Sequence, residues 1–385
     1  MIAQLAGAKP DFAAWGTVLP NLTWSNIARE VLLDAKVDPT IPAFSTVMAC
    51  STSMIGALEA ASLLDGVHRS LALVGGVESL SHVQIGLTQS LSDWLRGFLQ
   101  AKGAGKKFER LRALAGTKIG LFIPSIANRS TGKSMGEHME MTVRAMGTIS
   151  RADQDAWSLG SHRNAVAAWE HGFFDDLVIP FGGQSRDSIP RKDTSLERLT
   201  RLPPAFDRHG GTITAGNSSP LTDGAAGVWV ASDAGLSRLP SSLPRVRLID
   251  WEIASIDLWS EGLLMAPAYA IPRMLARNGL RYSDIALWEI HEAFAAQVLA
   301  HIALLEDRSF LRDRVGVDID FGLFPRDRVN PNGGSIALGH PFGATGARIL
   351  SQTVKELAQY APGSRAIVSI CADGGEGTVA LLEAV

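Results

Sequence analysis

Residues 44–76 read FSTVMACSTSMIGALEAASLLDGVHRSLALVGG. The run Phe44–Met48 is short, apolar and β-branched, and it stops at Ala49-Cys50. From Ser51 to Leu64 the composition turns to Ala, Met and Leu, which favours a helix, and Leu71–Val74 follows as a buried strand closed by Gly75-Gly76. Strand, helix, strand over about thirty residues is the pattern of a parallel sheet with a crossover helix. An α/β fold is therefore expected.

The pattern extends in both directions. Upstream, Thr23–Lys36 predicts a helix with Thr23 or Ser25 as its cap and Ile27, Val31 and Leu32 on one face. Downstream, strand signals fade between about Thr88 and Arg201, and helix-favouring segments take over at Trp94–Leu114, Ser134–Ala145 and Arg151–His171. Alternation resumes at Thr212–Asn217 and Gly224–Ser232. A second unit then opens at Ser241–Ser255. It predicts a helix at Ala268–Asn278, a strand at Ile285–Ile290, a helix at Glu292–Glu306, a glycine-rich loop at Pro331–Gly346, a helix at Ala347–Gln359, and strands at Arg365–Ile370 and Thr378–Ala384. Both cysteines follow apolar strands, which suggests two similar halves. The expected organisation is residues 1–87 as the first part of an N-terminal half, 88–203 as an inserted segment, 204–240 as the return strands, and 241–385 as the C-terminal half.

Composition narrows the function. With 385 residues the chain is too long for one small core. Thirty-six basic and 39 acidic side chains leave a net charge of −3, so nothing global calls for nucleic acid. No apolar run approaches the ~18–20 residues of a membrane span, and Met1–Phe12 lacks the apolar core of a signal peptide, so a cytoplasmic protein is expected. Within Ser92–Lys118, seven cations interleave with Trp94, Leu95, Phe98, Leu99, Phe108 and Leu111 against only Asp93 and Glu109. That mixture suits either a solvated lid or an interfacial amphipathic helix meeting a membrane surface.

Four loops carry chemistry. Cys50 stands between a strand and the first turn of a helix, where free N–H groups and the helix dipole favour thiolate, so a pKa below the usual ~8.5 is expected. His291-Glu292-Ala293-Phe294 resembles half of a zinc motif, but Ala295 occupies the place of the second histidine, so no metal is expected. Asn332–Arg348 holds five glycines around His340, and no strand leads into them as a dinucleotide-binding loop requires. Cys371-Ala-Asp-Gly-Gly places a second thiol at a strand end before a glycine turn. Taken singly, each cysteine could equally be a small buried hydrophobe.

In this order and spacing, the four loops resemble those of the thiolases: the nucleophilic-cysteine loop, the Asn/His-Glu-Ala-Phe loop, the Gly-His-Pro loop and the Cys-x-Gly loop. His at 291, where most thiolases have Asn, is similar to the branch of the trifunctional-protein β subunits and bacterial fatty-oxidation thiolases. Asn26–Glu30, Thr214–Gly224 and Ser255–Trp259 match as well, so the resemblance covers roughly residues 13–385.

The resemblance implies a thiolase fold, with two similar halves in α/β/α/β/α layers and an inserted helical loop domain. It also implies thiolytic cleavage of 3-ketoacyl-CoA, or the reverse condensation, with coenzyme A as substrate and no bound cofactor. Cys50 would be the nucleophile, His340 its base and Cys371 the acid/base at the α-carbon. His291 with His340 would form one oxyanion hole, and the N–H groups of Cys50 and of the turn at Asp373 and Gly374 the other. Ser219 would hold the pantetheine arm and Phe294 would wall the pocket; a turn cap and a core residue are their plainer readings. A homodimer or tetramer follows from the same resemblance, which leaves room for a hydratase/dehydrogenase α-type partner.

Two departures stand out. Asp373 replaces a small residue, and its carboxylate is expected to raise the Cys371 pKa unless it points away. The family's opening strand is not found ahead of Asp11, which suggests a start downstream of the biological one or a diverged member. A non-catalytic acyl-CoA-binding protein and a ketoacyl-synthase-type enzyme are the competing readings; Cys371 argues against the second.

Overall fold

A computed structural model describes residues 8–19 and 21–385. The expectation that no strand precedes Asp11 falls largely on Met1–Gly7, outside the described residues. Immediately after Asp11, however, lies a strand that the sequence reading did not assign.

This strand, β1 (Phe12–Gly16), is buried along its whole length. It pairs in parallel with β2 (Ala43–Thr46) on one side and with β3 (Leu71–Glu78) on the other. Strand β4 (Gly224–Ala231) runs antiparallel against β3, giving the order β2-β1-β3-β4. The interior of this sheet therefore has no empty slot. Helix α1 (Ile27–Asp34) is capped by Asn26, not by Thr23 or Ser25: the Asn26 side chain accepts from Arg29 N–H at 3.2 Å and donates to Ala43 O at 3.0 Å. Helix α2 (Thr52–Leu63) follows Cys50 as expected.

The inserted segment contributes α3 (Gln89–Gln100), α4 (Ala104–Ala113), α5 (Met135–Met146) and α6 (Arg151–Glu170). Ser134 and Ser150 start the last two with capping boxes to Glu137 and Asp153. The predicted Trp94–Leu114 helix is two helices, broken by Gly103 at φ +85°. Thr212–Asn217 is a turn, not a strand, because its N–H groups find side chains. Glu140 accepts from Thr212 N at 2.9 Å and Ile213 N at 2.8 Å, and Asn217 Oδ1 accepts from Thr214 N at 2.7 Å.

The second sheet contains β5 (Val246–Ser255), β6 (Ile285–Ile290), β7 (Arg365–Ala372) and β8 (Glu376–Ala384) in the order β5-β8-β7-β6. Helices α7 (Ala266–Arg277), α8 (Ala295–Glu306) and α9 (Thr345–Leu357) complete it. Trp288 bridges Val329 on the far side of β6. The halves match when β6, β7 and β8 are laid on β1, β3 and β4, with the parallel pair first and the antiparallel strand last. In that correspondence the two cysteines are not equivalent, since Cys50 follows β2 whereas Cys371 lies within β7. The suggestion drawn from their similar contexts was right about two halves and wrong about the reason.

Period-two alternation sorts the layers. Phe12, Ala14, Ala72 and Val74 from the first sheet, and Val368, Ile370, Ala380 and Leu382 from the second, share one buried cluster with Met54, Leu58, Ile349 and Leu350. Helices α2 and α9 are thus sandwiched between the sheets. Ala13, Trp15 and Leu73 face outward onto α1, and Ile367, Val379 and Leu381 face outward onto α7 and α8. The contact between α2 and α9 needs Gly346, where a Cβ would sit 2.3 Å from Met54 N. Among the described residues no helix is long and apolar enough to cross a membrane.

Candidate active site

The chain after β2 reverses through Ala49, whose φ of +43° is costly for a residue with a side chain. Thr52 holds that turn: its Oγ1 donates to Ala49 O at 2.7 Å and accepts from Met48 N at 2.9 Å. The turn presents Cys50, part-exposed, at the start of α2. Next to it, Ser51 Oγ donates to Ile370 O at 3.4 Å, which stitches the Cys50 turn to the residue preceding Cys371. The two thiols, 321 positions apart in the chain, belong to one site.

His340 stands against the Cys50 thiol. Its Nε2 lies 3.0 Å from Cys50 Sγ and its Nδ1 2.7 Å from Thr345 Oγ1. The loop is fixed by His340 N–H donating to Pro220 O at 3.0 Å. Beside it, with ring centroids 4.3 Å apart, is His291, whose N–H donates to Ser369 O at 2.8 Å. His291 Nδ1 faces Ser335 Oγ at 2.8 Å, and its Nε2 is buried without a partner among the described residues. One ligand atom each from Cys50, His291 and His340 falls within 4.8 Å of the others. That spacing suits a shared proton and a nearby oxyanion.

Electrostatics reverse one expectation. Burial, then the Asp373 charge, push Cys50 up to about 12, outweighing the N–H groups of Cys50 and Asp373 that lie against the sulfur. The helix terminus does not win, and the resting nucleophile is a thiol. Burial followed by the Arg348 charge brings His340 down to about 3, so it rests as a neutral imidazole able to accept that proton. Burial, then Cys50, raise Cys371 well above the ordinary thiol range. The Asp373 charge thus bears on Cys50, not on Cys371 as the sequence suggested.

The Asp373 side chain is held in place. Its Oδ1 accepts from Asn128 Nδ2 and from Gly374 N–H, both at 2.7 Å. Gly374 N–H is therefore spent on Asp373, so of the two turn donors suggested by the sequence, Asp373 N–H is the one against the sulfur. Ser219 donates from Oγ to Ala293 O at 3.1 Å and from its N–H to the same carbonyl at 3.0 Å, tying its loop to the His291 loop. Phe294 shares an apolar cluster with Cys371, Met139 and Met265, and packs edge-on to Phe206 at 5.8 Å.

Two buried carboxylates brace the site, and neither was singled out from sequence. Glu292 accepts from Trp157 Nε1 (3.0 Å), Asn330 Nδ2 (2.9 Å), Ser161 Oγ (2.7 Å) and Ile336 N (3.2 Å), joining α6 to the loops of both histidines. Glu78 accepts from Thr17 Oγ1, Val18 N, Leu19 N and Gly343 N at 2.9–3.1 Å. Thr345, Ser335 and Arg348 were likewise missed, although all three stand inside the quoted Gly-His-Pro segment.

A fold of two matched halves, with a thiol–imidazole pair and a second thiol where they meet, defines a thiol-dependent acyltransferase. The family model described as thiolase, N-terminal domain, matches residues 3–234, and that described as thiolase, C-terminal domain, matches residues 243–384. The chain belongs to the thiolase family. It is 36% identical over 379 residues to a 3-ketoacyl-CoA thiolase of Yersinia enterocolitica, covering 97% of this chain and 86% of that one. A Yersinia pestis protein of the same name is 36% identical over 380 residues, with the same coverage. Among solved structures, the Bacillus anthracis acetyl-CoA acetyltransferase aligns with a TM-score of 0.77 and 29% identity, over 98% of this chain and 88% of that chain. The Acat5 thiolase of Ascaris suum in complex with coenzyme A aligns with a TM-score of 0.77 and 27% identity, over 98% and 89%.

Proposed function

We propose that this chain cleaves 3-ketoacyl-CoA with free CoA through an acyl group carried on Cys50, and runs the reverse condensation when acyl-CoAs are supplied. The observation that carries the reading is the 3.0 Å contact between Cys50 Sγ and His340 Nε2, beside the unpartnered His291 Nε2. As Cys50 closes on the C3 carbonyl, its proton passes to His340 and an S–C3 bond forms. The oxygen at C3 gains charge against the N–H groups of Cys50 and Asp373. The C2–C3 bond then breaks with its electron pair going to C2. The resulting enolate oxygen accepts from His291 and His340 while Cys371 protonates C2, releasing acetyl-CoA. An incoming CoA thiol returns a proton to Cys371 and attacks the acyl thioester. Cys50 leaves as thiolate and recovers its proton from His340.

Loss of acetoacetyl-CoA enolate absorbance in the presence of CoA tests this, with a long 3-ketoacyl-CoA in parallel and intact-mass detection of acyl-Cys50. Activity on either substrate with an acyl adduct at Cys50 is the expected result. The charge of Asp373 against Cys50 motivates a second reading, a non-catalytic acyl-CoA-binding protein. Binding of CoA with no turnover of either substrate would select it.

The coenzyme A arm is assigned to the Ser219 loop, with Phe294 walling the acyl side. The protein is placed in the cytoplasm as a homodimer or tetramer, with residues 92–118 meeting a membrane surface or an α-type partner. In support, no residue of α3 or α4 is buried, while Leu99, Phe108 and Leu111 stand exposed among cations. Retention on anionic vesicles at low salt and release at high salt is expected. Equal retention on neutral vesicles would remove the membrane part.

A further inference from the structure

His291 is enclosed, and burial together with the neighbouring His340 keeps its pKa well below the ordinary value. It is a neutral ring with one N–H. Whether it can donate to an oxyanion depends on which nitrogen carries that proton.

The surrounding groups decide it. Ser335 Oγ lies 2.7 Å from Arg348 Nη2 and 2.8 Å from His291 Nδ1, and among the described residues it has no other hydrogen-bond partner. A guanidinium only donates, so Ser335 accepts from Arg348. The hydroxyl has a single proton left to place. If His291 Nδ1 also carried a proton, the Ser335 O–H would be a buried donor without an acceptor. The arrangement that satisfies Ser335 runs from Arg348 to Ser335 to His291 Nδ1, which leaves the ring proton on Nε2. That nitrogen is buried and unpartnered. With Nδ1 committed to Ser335, it is the one facing Cys50 and His340.

His340 offers a contrast. Its Nδ1 faces Thr345 Oγ1 at 2.7 Å, and no cation is hydrogen-bonded to that hydroxyl among the described residues. With no cation to fix its direction, the contact runs either way: as donor Thr345 puts the ring proton on Nε2, and as acceptor it leaves Nε2 open to take the Cys50 proton.

We propose that Arg348 and Ser335 are positioning residues for the thiolase reaction, a relay that keeps the His291 proton on Nε2 and so makes His291 the enolate-oxygen donor. The relay rests on the reading of His291 as that donor, and the experiment separates the two. Nitrogen-15 NMR of histidine-labelled wild-type protein reads the tautomer without any substitution, and should show Nε2–H at His291. Ser335→Ala should lower kcat about 10- to 100-fold while KM and the rate of Cys50 alkylation stay within about twofold. In a His291→Asn background, where a carboxamide always offers N–H, adding Ser335→Ala should cost less than about threefold. An Nδ1–H tautomer in the wild type, or an equal Ser335→Ala effect in both backgrounds, overturns the relay. Wild-type kcat in His291→Ala overturns the donor reading itself.

Discussion

Asn128 in the inserted segment donates its Nδ2–H to Asp373 Oδ1 at 2.7 Å, across 245 positions of sequence. Asn128 Oδ1 in turn accepts from Ser130 N at 2.9 Å and Thr131 N at 3.1 Å, so the bond ties a folded loop to the turn beside Cys371. Asp373 therefore has two separable effects, as a charge against Cys50 and as an anchor. Asp373→Asn keeps an oxygen acceptor and removes the charge. Its Cys50 alkylation profile should move to lower pH, on the order of one unit, or about tenfold in rate at a fixed pH. Asp373→Ala should show the same movement and also release the insertion, visible as faster proteolysis between Asn128 and Ser134. An unmoved alkylation profile in both variants would remove the electrostatic role.

Cys371 is buried and its thiol is pushed well above the ordinary range, first by burial and then by Cys50. Such a group serves as an acid, not as a second nucleophile. Cys371→Ser should still accept an acyl group at Cys50 from a reactive acyl thioester, but lose about 10²- to 10⁴-fold in turnover and in deuterium exchange at acetyl-CoA C2. Cys50→Ala should lose the adduct altogether. An acyl mass on the peptide carrying Cys371 would contradict both assignments.

The loops around Cys50, His291, His340 and Cys371 were legible because each packs its chemistry into a few contiguous residues whose types have few other uses together. Strand β6 was assigned to the residue, since Ile285–Ile290 is apolar and bounded by turn formers. Strand β1 was missed because FAAWG has little β-branched content and lies close to one end of the chain. The His291 loop was read as helix three residues too early. Ala293 N–H is taken by the Gln297 side chain at 3.1 Å, and Phe294 is still extended at φ −144°. The Cys50 pKa went the wrong way for a related reason: a helix terminus is visible locally, whereas burial and a charge 323 positions away are not.

Glu292 shows what such long-range bonds do for stability. Its four donors come from Trp157, Ser161, Asn330 and the Ile336 backbone, all around one buried carboxylate. Glu292→Ala leaves several of them without acceptors, at about 1–3 kcal/mol each before relaxation, so several kcal/mol in total and a markedly lower Tm are expected. Glu292→Gln retains one acceptor oxygen and should lose less. A thermal melt of Glu292→Ala matching the wild type would show that water replaces the carboxylate.

Stability should also depend on pH in a direction the buried histidines set. Burial lowers His340 from 6.5 to about 3 and His301 and His162 to about 4, and holds His291 well below its usual value. Between pH 6.5 and those values the unfolded chain takes up protons that the folded one refuses, so stability present above 6.5 is lost as the pH falls, by about 1.4 kcal/mol per unit for each group. Burial acts oppositely on Glu289, raised from 4.5 to about 8: its contribution is complete below 4.5 and fades as the pH rises towards 8. His138 is lowered as well, and these five imidazoles outnumber the carboxyls that burial raises, Glu289, Glu292, Asp187 and Glu59, so the acid limb is the steeper. Urea midpoints measured from pH 5 to 8 should peak near 6.5 and fall faster on the acid side. His162→Gln should flatten that limb by about one group's share, and midpoints that rise steadily from pH 6.5 down to 5 would contradict the neutral state assigned to these rings.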